Sequence, residues 1–184
     1  MKPWLFYPLA FAVVAGIVLF ALSLGERTEE LTVEEVRRDG FHLSGADLVQ
    51  LVASPGTEVV VGDSMARAVM VSSRADSPPS AGVFATLIPA HQEAFAERPT
   101  EMVWRIRRPA GPGRVELGYF TPGGRATGWR AVAVGEEWTD AALTFTPGGA
   151  PEPGYDYAGL WPGVGEPEAD VVEIESVTVR LASP

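Results

Sequence analysis

One uninterrupted apolar run near the start of the chain limits what it can be. Positions 4–24 read WLFYPLAFAVVAGIVLFALSL, with no charged residue. A helix needs about 20 consecutive apolar residues to cross the hydrocarbon core of a bilayer. A secretory signal has a shorter apolar core, about 7–15 residues, ending in small residues at a cleavage site. Ala21-Leu22-Ser23 would serve as such a site, but the run is too long for a signal and Leu24 continues it. The segment is therefore read as an uncleaved transmembrane anchor over positions 1–25, with a cleaved signal as the alternative. Trp4 and Tyr7 fall where amphipathic rings favour the headgroup level, and Leu24 closes the run. Lys2 is the one charge before it, and Glu26, Arg27, Glu29 and Glu30 follow it. Positive charge stays on the cytoplasmic side. The expected arrangement is thus a single-pass protein of a bacterial-type inner membrane, N-terminus in the cytoplasm and domain in the periplasm. A span without ionisable groups cannot carry ions or protons. It can pack against lipid or other helices, with Ala15-Gly16 as a close-contact point.

Charge narrows the function of the remainder. The net charge is -10, and Lys2 is the only lysine. Nucleic acid calls for a basic face that releases counterions, so nucleic-acid binding is excluded. A polybasic lipid-binding surface is excluded on the same ground. The chain has no Cys, so neither disulfides nor a thiolate zinc site can form. The residues beyond the anchor are enough for one domain with its own core.

After the anchor, positions 26–40 form a charged connector in which Leu31, Val33 and Val36 make a weak apolar stripe. A short helix ended by Gly40 and an extended tether both fit, and the expected role is a spacer. From 41 to 184 short apolar runs alternate with Gly/Pro clusters, the punctuation of an all-β sandwich or barrel. Val83–Ile88 is nearly continuous in apolar residues, which predicts a central strand covered on both faces. Pro89–Ala96 predicts a helical turn. In Met102–Arg108 the residues Met102, Trp104 and Ile106 share one face, assigned to the core; Val115, Leu117 and Tyr119 do the same on the next strand. Over Tyr155–Trp161, Asp156, Ala158 and Leu160 lie opposite Tyr155, Tyr157 and Trp161. In the last strand the apolar parity shifts between Val172/Ile174 and Val177/Val179/Leu181, which predicts a bulge near Glu175-Ser176.

Several of these segments resemble the galactose-binding-like jelly roll used by many carbohydrate-binding modules. Trp138-Thr139 precedes an aliphatic–Thr–Phe–Thr strand, Leu143 to Thr146; a Gly/Pro loop leads to the aromatic strand Tyr155–Trp161; and the chain closes on Ile174-Glu175-Ser176-Val177-Thr178-Val179. Val103-Trp104-Arg105 matches an apolar–Trp strand common in such modules. The resemblance implies an antiparallel two-sheet jelly-roll-like sandwich, here preceded by the transmembrane helix. It also implies a structural calcium near the first and last strands. Glu175 stands at the place of the first of two family acids, but Ser176 replaces the second, so calcium is not expected and no cofactor is assigned.

His42, close to the connector, and His91, on a predicted surface turn, are the only histidines; they have no metal-ligand spacing and no Ser or Asp partner nearby, and nothing points to a facing carboxylate pair. The expected protein is not an enzyme. Two functions remain. The first is an accessory or scaffolding subunit of an inner-membrane complex, with the Arg105/Arg107 face as a contact surface. The alternative is a membrane-tethered carbohydrate-binding module for an envelope or exported polysaccharide. There Trp129, Tyr155, Tyr157 and Trp161 would stack on sugar rings, while Arg105, Arg107 and Arg130 donated hydrogen bonds. Partners are accordingly a membrane complex or the bilayer, or else a polysaccharide.

Overall fold

The computed structural model describes residues 31–78, 80–122, 127–149, 153–163 and 170–183. The anchor residues Trp4, Tyr7 and Leu24 lie outside them, and among the described residues no helix is long and apolar enough to cross a membrane.

The charged connector is not a spacer. Its second half is helix α1 (Val33–Asp39), opened by a capping box in which Thr32 and Glu35 each satisfy the other's backbone N–H. Acidic residues fill the first turn and arginines the last, in the sense that the helix dipole favours. Gly40 ends it at φ +73°, where a Cβ would also lie 2.7 Å from the Val179 carbonyl oxygen. Val36, the last residue of the weak apolar stripe, is fully buried, so the helix belongs to the domain core.

The strands follow: β1 (Phe41–Ser44), β2 (Val52–Ala53) after a 3₁₀ turn at Gly45–Gln50, β3 (Thr57–Val61), β4 (Ala66–Met70) and β5 (Val83–Leu87). Helix α2 (Pro89–Phe95) then leads to β6 (Thr100–Arg107), β7 (Gly113–Phe120), β8 (Arg130–Val134), β9 (Thr139–Phe145), β10 (Asp156–Trp161) and β11 (Val171–Leu181). They form two antiparallel sheets. The first has the order β3-β4-β11-β6-β9, with β1 also paired to β11; the second runs β2-β5-β10-β7-β8. The two-sheet sandwich expected from the sequence is present.

Strand β11 explains the parity shift. Val171–Ile174 pairs with β4 and Ser176–Val179 with β1, while β6 runs along the other side. The register slips between Ile174 and Ser176, so Val172, Ile174, Val177 and Val179 are all buried despite the odd step between them. The alternation read for β6 and β7 also holds: Met102, Trp104, Ile106, Val115, Leu117 and Tyr119 fill the core between the sheets. β5 departs from expectation. Val83, Ala85 and Leu87 are buried, but its other face is only half-covered, at Phe84 and Thr86.

Several polar groups are buried, Asp156 and His91 among them. Asp156 accepts hydrogen bonds from the Tyr119 hydroxyl (2.6 Å) and from Gln92 Nε2 (2.9 Å). Burial pushes its carboxyl above the ordinary aspartate value, and both hydrogen bonds pull against that. His91, read from sequence as a surface residue, is only 5% exposed, edge-on to Phe41 with ring centroids 5.3 Å apart. Pro89 starts α2 in a position that turns this face of the helix inward. Burial depresses the imidazole pKa, against an opposing pull from the Ile88 carbonyl. Below the ordinary histidine value of about 6.5 the unfolded chain takes up a proton that the folded chain refuses. The stability His91 contributes is thus present above that pH and lost as pH falls through its folded pKa. Urea midpoints measured between pH 7 and 5 will fall in the native protein, and the fall will be shallower in His91→Gln.

Candidate functional site

The two sheets turn very different outer faces to solvent. On the first, Arg105 reaches Glu175 (2.6 Å) and Asp140 (3.0 Å). Arg107 reaches Glu173 (2.6 Å) and lies 4.7 Å over the Trp138 ring. Arg180 pairs with Glu101 at 2.8 Å. These are cross-strand neighbours on β6, β9 and β11, so the charges form a ladder that answers itself. Arg105 and Arg107, expected as sugar donors, are therefore engaged, and on the sheet remote from the aromatics. Glu175, the weak calcium candidate, is tied to Arg105. Among the described residues no group of three or more His, Cys, Asp or Glu is arranged to hold a metal.

The second sheet carries an aromatic pavement. The side chains of β10 alternate as read: Asp156, Ala158 and Leu160 go to the core, leaving Tyr157, Gly159 and Trp161 on the other face. One transverse rung runs Val52–Phe84–Gly159–Gly118 across four strands. Its positions on β10 and β7 are glycines, and neighbouring rings lie over them. An added Cβ on Gly159 would fall 2.7 Å from Phe84, 3.0 Å from Trp129 and 3.1 Å from Phe120. One on Gly118 would fall 2.8 Å from the Phe120 ring. The glycines thus let ring edges approach the sheet closely and cover it. The rings touch one another: Phe84–Phe120 at 5.9 Å, Phe84–Tyr157 at 6.1 Å, Phe84–Trp129 at 6.1 Å and Phe120–Trp129 at 5.0 Å between centroids. Phe84, Phe120 and Tyr157, with Ser80 at the rim, line a hollow of about 250 Å³. Tyr157 is the most open of the rings, 37% exposed.

Of the residues singled out from sequence, Trp129, Tyr157 and Trp161 come together here. Trp161, however, is 0% exposed and no platform. The Arg74 guanidinium covers it at 4.7 Å and lies 4.8 Å over Trp129. Arg74 also donates to the Ala81 carbonyl (3.1 Å) and lies 3.5 Å from Glu116. Burial lowers the Arg74 pKa, and Glu116 opposes that. Tyr155 precedes β10 and is exposed. Arg130 is elsewhere. Its cross-strand partner is the core residue Leu117, so it lies on the inward side of β8, at a separate hollow of about 640 Å³ with Leu143 and Phe145.

Phe84, Phe120, Arg74 and the two glycines were missed by sequence reading. Gly118-x-Phe120 and Tyr157-x-Gly159-x-Trp161 each place an aromatic two residues from a glycine on a strand, a pattern that could have pointed to this face. Gly159→Ala tests the arrangement. The new methyl must push the Phe84 ring aside, costing about 1–3 kcal/mol in thermal unfolding and shifting tryptophan emission as Trp129 is displaced.

No protein-family model matches the sequence, and no curated protein matches it. Solved structures do match in fold. The tandem of two family 22 carbohydrate-binding modules from Paenibacillus barcinonensis Xyn10C aligns over 78% of this chain at 12% identity, TM-score 0.52; the chain spans 45% of that tandem. The C-terminal family 22 carbohydrate-binding module of Clostridium thermocellum Xyn10B aligns over 78% of this chain and 92% of its own length, at 13% identity and TM-score 0.52. The second N-terminal cellulose-binding domain of Cellulomonas fimi β-1,4-glucanase C aligns over 78% and 93%, at 16% identity and TM-score 0.53. At these identities the likeness is one of fold: this chain has the β-sandwich found in carbohydrate-binding modules.

Proposed function

We propose that this protein is a non-catalytic, membrane-tethered module that binds a neutral polysaccharide on the outer face of the β2-β5-β10-β7-β8 sheet. The observation that carries the reading is the half-exposed ring pavement laid over Gly118 and Gly159. Contiguous exposed rings rimmed by polar groups mark a binding surface. Flat rings match the C–H faces of a pyranose, which need no charge for recognition. A neutral ligand fits because the whole chain is acidic and the cation lying against the rings, Arg74, is offset by Glu116. The scaffolding-subunit reading loses support, because its named contact surface, the Arg105/Arg107 face, is closed by its own ion pairs. In this reading the anchor at 4–24 holds the module outside the inner membrane and no cofactor is needed.

Calorimetry with the full chain in detergent and neutral β-linked oligosaccharides tests the proposal, beginning with cello-oligosaccharides, since one similar domain is named for binding cellulose. Tyr157→Ala and Phe120→Ala will each weaken binding roughly tenfold, and Arg105→Ala will leave it unchanged. Absence of binding to any neutral glycan defeats the reading. The tether has its own test: the protein will stay with membranes through alkaline extraction, and deletion of 4–24 will release it.

A further inference from the structure

The ring pavement supplies stacking but few hydrogen-bonding groups. Those appear just beyond its edge. Strand β2 is two residues long and pairs only with Phe84 and Val83. Gln50, which would lie opposite Thr86 if the pairing continued, belongs instead to the 3₁₀ turn. Beside Thr86 the edge of β5 therefore has no neighbouring strand, and a hollow of about 440 Å³ opens there, lined by His42, Asp47, Gln50, Thr86 and Ile88 among others. Thr86 is the cross-strand partner of Tyr157, so the hollow begins where the pavement stops.

Asp39 in its lining is paired with Arg38, but three of its other polar side chains are uncommitted. Asp47, Gln50 and Thr86 make no side-chain hydrogen bond among the described residues. His42 uses only Nδ1, 2.8 Å from the Thr178 hydroxyl. This contrasts with the first sheet, where Arg105, Arg107 and Arg180 are engaged by carboxylates. A carboxylate, an amide, an imidazole and a hydroxyl around one hollow offer both donors and acceptors, which is what the several hydroxyls of a sugar unit require. Unlike the pavement, such a set would distinguish sugars by hydroxyl position, because a buried polar group left unpaired is costly.

We propose that this hollow is a second subsite of the same face, holding by its hydroxyls the sugar unit that follows those stacked on the rings. The inference rests on the glycan-binding reading above and adds a prediction which that reading does not make, a dependence on chain length.

The test is calorimetry on the full chain in detergent with a neutral β-linked oligosaccharide series from three to six units. Asp47→Ala/Gln50→Ala changes two exposed side chains outside the core; Thr86→Val removes the junction hydroxyl at constant shape. The native protein will gain affinity with length. Both variants will lose about tenfold on the longest ligand and nothing on the shortest that binds, whereas Tyr157→Ala will lose at every length. Unchanged affinity at every length in both variants, or an equal loss at every length, overturns the second subsite while leaving the glycan reading intact. If Tyr157→Ala binds like the native protein, or no glycan binds, the underlying reading fails and the subsite falls with it.

Discussion

The first sheet depends on β11. Its first half is bound by β4 and its second by β1, and β6 runs along its other side from Glu173 to Leu181. A strand that changes partner midway must still keep its apolar residues on one face, and side-chain direction alternates strictly. The slip at Glu175 reconciles the two requirements by inserting one residue between the halves. Without it, either Val172 and Ile174 or Val177 and Val179 would face water. The extra residue is an acid, and Arg105 on the adjacent strand holds it.

With the core secured between the sheets, each outer face is a separate problem, and the chain solves the two differently. The first is closed electrostatically, by charges whose partners lie on adjacent strands. The second is closed by rings, and closing it by rings requires giving up side chains beneath them. Gly118 and Gly159 weaken their strands in isolation, since glycine has no side chain to pack and loses more freedom on folding. The rings of Phe84, Phe120 and Trp129 restore that missing contact area from the side. The result, on an acidic protein, is a surface of contiguous apolar rings, neighbours inclined to one another by 51–78°.

Much of the fold was legible because β periodicity is a local signal. Trp104, Val115, Leu117 and the two faces of β10 could be assigned from alternation alone, and the bulge from its interruption. What was not legible depended on facts that alternation does not contain. His91 looked exposed because a short helix gives no hint of which side faces inward. The role of α1 was misjudged because a single buried residue, Val36, ties it to the core. In the site, Tyr157 and Trp129 were found because an aromatic on an outward position is conspicuous. Arg105 and Arg107 were grouped with the aromatics as donors, and their place on the other sheet was not legible because strand order is not written in strand composition. Trp161 shows the remaining difficulty. It lies on the expected face, and only the loop carrying Arg74 decides that it is covered.

Arg130 acquires a different meaning from the one its residue type suggested. It stands on β8, the last strand of its sheet, and points inward beside β9, the last strand of the other. At this side of the sandwich two unpaired strand edges lie next to each other over a partly apolar gap containing Leu143 and Phe145. Such an edge is a template on which another chain's strand can add. An inward-facing guanidinium there must be desolvated or displaced before a foreign strand can seat itself, which makes addition unfavourable. A charged guard on the open edge thus disfavours strand addition between copies even at high local concentration.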